Sequence, residues 1–214
     1  MTTPTLATIE TLESGLLAGP FRDVINPDHA LGEGSSHDDA TAQRLGFRGG
    51  TVAGTHHLNL AGPLAMNVFG QKWYEHGTLS LYFRHATIDR EAVQAQMEAP
   101  KGLADEQVNV WLEKEDATTV AEGTMSVGEP GETTAVGRID IDKLEPTDLR
   151  ILADVEVGEE IPPTRMLITT AEHEARMAGA AEVLPWNVGR SPWGNAVLIP
   201  SQVAGLLYQP AVMS

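Results

Sequence analysis

The feature that most constrains the fold is a two-residue hydrophobic period that recurs within residues 77–127. Apolar side chains take every second position in GTLSLYF, EAVQAQME and EQVNVWLEKE, and TTVAEGTMSVG is a fourth strand candidate. The breaks between them, IDRE, PKGLAD and KEDAT, are turn-like. Because successive side chains of a strand point to opposite faces, the pattern predicts an antiparallel sheet with one apolar face. That face must be buried against another element.

The segment before these strands is the candidate to cover the apolar face. Residues 55–69, THHLNLAGPLAMNVF, form a mostly helical apolar run, in which Pro63 predicts a kink or a boundary and Gly70 an end. Upstream, Asp38 and Asp39 can cap a short helix, DDATAQRLG, which leads into the glycine-rich turn GFRGGTVAG. An α+β fold is therefore expected, with LLAGPFRDVIN as a first strand broken by a proline.

The second half of the chain is less regular. Residues 129–149 are acidic and contain two prolines, so we interpret them as a linker with a short strand at VGRIDI. Residues 151–170 have a strand-like pattern, and residues 171–183 suit a helix. The ending SPWGNAVLIPSQVAGLLYQPA is weakly similar to the earlier stretch GFRGGTVAGTHHLNLAGPLA. If the two stretches are a genuine repeat, residues 1–128 form a first domain and residues 150–214 an incomplete second unit. The alternative is that the similarity between the two stretches is a coincidence.

Composition excludes several classes of function. The chain has 14 Lys plus Arg against 30 Asp plus Glu, a formal net charge of −16, which disfavours binding to nucleic acid or anionic lipid. It has no cysteine, so thiolate metal sites and cysteine nucleophiles are excluded, and its histidines lack metal-ligand spacing. No stretch approaches the roughly 20 apolar residues of a membrane helix, and no secretion leader is visible. We expect a cytoplasmic protein without metal or cofactor.

The order of elements resembles the hot-dog fold, in which an antiparallel sheet wraps around a central helix. More narrowly, residues 26–100 are similar to the MaoC-like family of (R)-specific enoyl-CoA hydratases and acyl dehydratases. Three stretches carry the resemblance: SSHDDATAQRLGFRGGTVAG, FGQKWYEHGTLSLYFRHATI and VQAQMEAPKG. It implies addition of water to a trans-2-enoyl thioester of CoA or a carrier protein, or the reverse reaction. It also implies a homodimer or hetero-oligomer.

The resemblance also implies site residues. The family uses an aspartate and, five residues later, a histidine, in the pattern Asp-x-Asn-Pro-x-His. His37 aligns with that histidine by its distance to the Gly-Phe pair after the short helix, but the aspartate position holds Gly32, which leaves Glu33 as the nearest upstream carboxylate. A second registration, Asn26-Pro27-Asp28-His29, matches Asn-Pro-x-His but has Val24 in place of the aspartate.

In the family, backbone N–H groups at the start of the central helix hold the thioester oxygen, which assigns substrate binding here to Gly54, Thr55 and His56. Of His56 and His57, one could instead be core and the other surface. His37 could be a hydrated loop residue that caps Asp38, and Glu33 and the Asp28–His29 pair could be solvated. CoA phosphates would need some of the few basic residues, for which Arg44, Arg48 and Arg84 are candidates.

Three functions stay open from the sequence. The first is a hot-dog acyl-thioester hydratase or dehydratase with His37 as acid and base, assisted by Glu33. The second is a non-catalytic hot-dog protein that binds an apolar ligand or completes a partner enzyme, which the incomplete motif favours. The third is a hot-dog thioester hydrolase that uses a carboxylate-activated water.

Overall fold

A computed structural model describes residues 6–28, 34–140, 143 and 165–213. These residues form a mixed α/β structure around a seven-stranded antiparallel sheet. The strands are β1 (Glu10–Thr11), β2 (Leu17–Ala18), β3 (Arg22–Asp23), β4 (Gly77–Phe83), β5 (Ala92–Met97), β6 (Glu106–Lys114) and β7 (Thr119–Val127). The order across the sheet is β1-β2-β5-β6-β7-β4, and β3 also pairs with β5.

Helices occur before β4 and in the last third of the described chain. They are α1 (Asp39–Arg44), α2 (Gly54–His57), α3 (Gly62–Phe69), α4 (Gln71–His76), α5 (Thr170–Ala178), α6 (Pro185–Val188) and α7 (Pro200–Met213). A 3₁₀ turn at Leu58–Ala61 joins α2 to α3. No helix among the described residues is long and apolar enough to cross a bilayer.

The core lies between the sheet and the run from α2 to α3. Leu60, Ala61, Leu64 and Ala65 share one side of this run, and all four are buried. They pack in one cluster with alternate side chains of three central strands, namely Val93, Ala95 and Met97 of β5, Val108, Val110 and Leu112 of β6, and Val120, Ala121 and Met125 of β7. Full burial of a side chain such as Leu64 contributes about 2–3 kcal/mol, so this contact is a main source of stability.

Pro63 explains why the helical run is interrupted. Proline has no N–H to donate to the carbonyl four residues earlier, here that of Asn59. The chain forms a 3₁₀ turn at this point, and α3 begins with Pro63 in its first turn. Gly70 ends α3 with φ of 56°, a conformation that favours glycine.

The period-two segments all form strands, and β5 and β6 bury every second residue as predicted. The short helix is also confirmed: Asp38 caps α1 by accepting a hydrogen bond from the Thr41 N–H, at 2.8 Å. Two expectations are wrong. The proposed strand VGRIDI contains a 3₁₀ turn at Val136–Arg138 instead. Residues 71–76, which the resemblance joined to the following strand, form the separate helix α4.

The C-terminal segment packs onto the α2–α3 run. Asn59 Nδ2 donates to Ser201 Oγ at 3.0 Å, and the Ser201 N–H donates to Asn59 Oδ1 at 3.0 Å. Residues 165–213 contain no strand. Most of the strand-like stretch 151–170, and the start of the predicted second unit at 150, lie outside the described residues. The division into 1–128, 129–149 and 150–214 therefore stays a prediction.

Candidate functional site

His37 lies in the loop just before α1 and is held there by two contacts to its backbone. Asn26 Nδ2 donates to the His37 carbonyl at 2.9 Å. Gly50 packs so closely against this carbonyl that a Cβ at position 50 would lie 2.2 Å from the oxygen. Position 50 therefore requires glycine, because any larger residue there would displace His37.

The ring of His37 is oriented mainly by a short hydrogen bond to the Thr51 carbonyl. Its Nδ1 lies 2.6 Å from the carbonyl oxygen of Thr51, which can only accept, so Nδ1 carries the proton in the neutral ring. Nε2 is then the unprotonated nitrogen. Among the described residues, Nε2 has no hydrogen-bond partner. This tautomer suits a general base.

Asp28 and His56 form a second polar pair at the site. His56 Nε2 donates to Asp28 Oδ2 at 3.0 Å, and both side chains are mostly buried. The hydrogen bond from His56, aided by the charges of His56, His37 and Arg176, lowers the pKa of Asp28 against the opposing effect of burial. Asp28 is therefore an ionised carboxylate at neutral pH, and it lines the same cavity as His37.

These side chains line one cavity of about 760 Å³. Asp28, His37 and His56 contribute to its wall, together with Gly54 and Thr55 at the start of α2. The C-terminal segment supplies another part of the wall, which includes the apolar residues Met166, Leu167, Ile168 and Leu206. The cavity therefore combines a basic nitrogen, a carboxylate and an apolar surface, within the size range of small-molecule sites.

The start of α2 forms part of the wall of this cavity. The first N–H groups of a helix have no carbonyl partner within it, and the residue before the helix, Ala53, makes no side-chain cap. A Cβ at Gly54 would lie 3.0 Å from the ring of Phe83, so this glycine lets the helix start approach β4.

His57 has a different environment from His56. It is 2% exposed, and its Nδ1 donates to the Ala53 carbonyl at 3.3 Å while Nε2 accepts from the Thr87 hydroxyl at 2.8 Å. Burial lowers the pKa of His57 to about 4, so the ring is neutral at physiological pH. The two adjacent histidines thus divide into one core residue and one cavity residue.

The structure brings together four of the five residues that the resemblance assigned: His37, Gly54, Thr55 and His56. Glu33 lies outside the described residues. Of the two interpretations of Asp28, that of an exposed turn residue is wrong, because its side chain is mostly buried and lines the cavity. The available signal was its place directly after the Asn-Pro pair of the alternative registration.

Arg44, Arg48 and Arg84 do not line this cavity. Arg48 pairs with Glu91, Arg84 pairs with Glu122, and Arg44 donates to the Thr41 hydroxyl. Arg176 of α5 is the cationic residue found in the described cavity wall. No group of three or more His, Asp or Glu side chains among the described residues could hold a metal ion.

No family model and no curated protein matches this sequence. Among solved structures, the chain is similar to an (R)-hydratase from A. caviae involved in PHA biosynthesis. The two sequences are 17% identical, the match covers 59% of this chain and 98% of the other, and the TM-score is 0.37. Similarity at this level does not establish a family, so the functional proposal depends on the site itself.

Proposed function

We propose that the chain is a hot-dog-fold acyl-thioester hydratase or dehydratase in which His37 is the acid and base. The single observation that supports this most strongly is the His37 ring. Its Nδ1 is engaged by the Thr51 carbonyl, which leaves Nε2 as a base in a cavity that also contains the Asp28 carboxylate. The antiparallel sheet that packs on the α2–α3 run supports the fold part of the proposal.

In the hydration direction, His37 Nε2 takes a proton from water while the water oxygen forms a bond to C3 of the enoyl group. The electron pair of the C2–C3 double bond moves toward the thioester carbonyl. The imidazolium formed at His37 then gives its proton to C2, so that one water supplies both the hydroxyl and the hydrogen. Asp28 stabilises the transient positive charge on His37, in the role that the sequence assigned to Glu33.

The thioester oxygen gains negative charge during this reaction. Backbone N–H groups of Gly54 and Thr55 are proposed to hold it, since they open a helix without a side-chain cap. Arg176 is suited to an anionic part of the carrier, and the apolar wall of the C-terminal segment to the acyl chain. Among the described strands, β4 lies at one end of the sheet, and we propose that its outer edge pairs with a second copy or a related chain.

The test is hydration of short-chain and medium-chain trans-2-enoyl-CoA esters, crotonyl-CoA among them, followed by loss of the enoyl absorbance. We expect activity in the wild type and a loss of about 10²–10⁴-fold in His37→Ala, the usual contribution of a positioned acid and base. Asp28→Asn should reduce kcat by at least about tenfold, because it removes the charge beside His37.

The matched control is His76→Ala at the exposed end of α4, which should keep wild-type activity. No hydration of any ester by the wild type would contradict the proposal and favour a binding protein. Release of free CoA without hydration would favour a hydrolase. Full activity in His37→Ala would place the chemistry elsewhere.

A further inference from the structure

A second cavity, of about 530 Å³, lies next to a cluster of three aromatic side chains. Tyr74 of α4, Trp186 of α6 and Trp193 have ring centroids 5.1–5.7 Å apart. Tyr74 and Trp193 line this cavity, and it shares no lining residue with the cavity of His37. We call Tyr74, Trp186 and Trp193 the aromatic corner.

The rings of the aromatic corner are steeply inclined to one another. The planes of Trp186 and Trp193 meet at 88°, and Tyr74 makes angles of 54° and 52° with them. Rings at these distances and angles are in direct contact and cover part of one another's faces. The remaining surfaces of Tyr74 and Trp193 line the cavity, and Trp186 is not among its described lining residues. Trp193 remains 45% exposed, so part of its indole surface is open to a ligand.

Trp193 is held in position by the turn that carries it. The Trp193 N–H donates to Ser191 Oγ at 3.2 Å, and Ser191 Oγ donates to the Asn195 carbonyl at 2.5 Å. Gly194 completes the turn with φ of 98°. A ligand that contacts the indole would therefore need to order little of the protein.

The charge at this cavity is negative. Glu75 lines it, and no Lys, Arg or His is among its described lining residues. Glu75 Oε1 accepts from the neutral Gln71 amide at 2.7 Å, so its charge is not cancelled there. The nearby Lys72 lies 3.7 Å from the Asp105 carboxylate. Burial raises the pKa of Tyr74 to about 12, so this ring stays uncharged and keeps its electron-rich face.

From this geometry we propose that Tyr74, Trp193 and Glu75 form a binding site for a small methylated ammonium ion, such as choline or tetramethylammonium, with Trp186 packed against the two other rings. Aromatic faces attract such cations through the ring quadrupole, and the methyl groups make apolar contacts with the same rings. Glu75 adds the opposite charge beside them. The site is independent of the proposed hydratase activity.

The test compares choline with 3,3-dimethyl-1-butanol, in which a neutral carbon replaces the charged nitrogen at nearly the same size. Titrations of the full chain are followed by saturation-transfer NMR. We expect saturable choline binding in the millimolar range, about tenfold tighter than the neutral analogue, since cation–π attraction supplies most of the difference.

Trp193→Ala should abolish choline binding, whereas Trp111→Ala on β6 should leave it unchanged. Glu75→Gln should weaken choline by about threefold without affecting the neutral analogue. Its control is Glu115→Gln, which makes the same charge change in the exposed β6–β7 turn at the far end of the sheet.

Three results would overturn the proposal: no saturable choline binding by the wild type, equal affinity for the neutral analogue, or retained binding in Trp193→Ala. Equal effects of Glu75→Gln and Glu115→Gln would also contradict it, because the charge would then act only through the overall field of the protein.

Discussion

His57 lies in the helix turn that carries the site, and its buried ring makes stability depend on pH. Its pKa is lowered from 6.5 to about 4, so between these values the unfolded chain binds a proton that the folded protein excludes. The free energy of unfolding therefore falls as pH drops through this window and is restored above it.

We expect His57→Gln, which keeps hydrogen-bonding atoms but cannot titrate, to remove this dependence. Between about pH 7.5 and pH 5, the wild type should lose about 2 kcal/mol more stability than His57→Gln in urea unfolding. His76→Gln is the exposed control and should follow the wild type. Parallel curves for wild type and His57→Gln would mean that His57 is accessible to protons when folded.

Asn26 joins the two loops that carry Asp28 and His37. Its amide donates to the His37 carbonyl at 2.9 Å, and its Oδ1 accepts from the Asp28 N–H at 3.2 Å. The residue is 4% exposed. Asn26→Ala should cost about 1–3 kcal/mol of stability because buried partners lose their hydrogen bonds. It should also reduce hydration by at least about tenfold by displacing both side chains.

The comparison for Asn26 is Asn109→Ala on the outer side of β6, which should change stability by less than about 0.5 kcal/mol. Chemical denaturation and crotonyl-CoA hydration measure the two effects. Wild-type hydration in a correctly folded Asn26→Ala protein would show that the loops hold their positions without this residue.

The sequence predicted a position for His37 just before a short helix, because its distance to Gly46-Phe47 is fixed by that helix, and the structure places it there, in the wall of a cavity. It favoured an exposed position for Asp28 because the contact to His56 spans 28 positions and depends on how the loop after β3 folds back. A local pattern cannot encode such a contact. The sequence allowed one of His56 and His57 to be a core residue and the other a surface residue. Only the packing shows that His57 is the core residue and that His56 lines the cavity.

The central strands were the most predictable elements. Their hydrophobic period is set by burial of one face, and this constraint is local. The strands β1, β2 and β3 have two residues each, too few for a period to be visible. Helix α4 was not predicted because it has six residues and its partly buried side chains include the adjacent pair Trp73 and Tyr74, which is too short a pattern to show a helical period.

Helix α7 is attached to the α2–α3 run by two hydrogen bonds between Asn59 and Ser201. Asn59→Ala removes both hydrogen bonds to Ser201, so α7 should open more often while the sheet stays intact. Amide hydrogen exchange in residues 200–206 should accelerate by about tenfold or more, with no change in β6. Asn67→Ala, on the exposed side of α3, serves as the control. Unchanged exchange in α7 would show that apolar contacts alone hold the helix.

The whole molecule has a formal net charge of −16, and its like charges repel one another in the folded state. Added salt should screen this repulsion, so the thermal midpoint at neutral pH should rise as NaCl increases toward about 1 M. The rise should shrink as the pH approaches the pI near 4.7, where the net charge vanishes. A midpoint that is independent of salt at neutral pH would contradict this expectation.

The cavity of His37 has one wall from residues 28–56 and another from residues 166–206. During translation, a ribosome that has completed the sheet has produced only the first wall. The nascent chain can thus fold its core while the side chains of Asp28, His37 and His56 are still exposed to water. The cavity is complete only after synthesis has passed Leu206 and the last helix has docked.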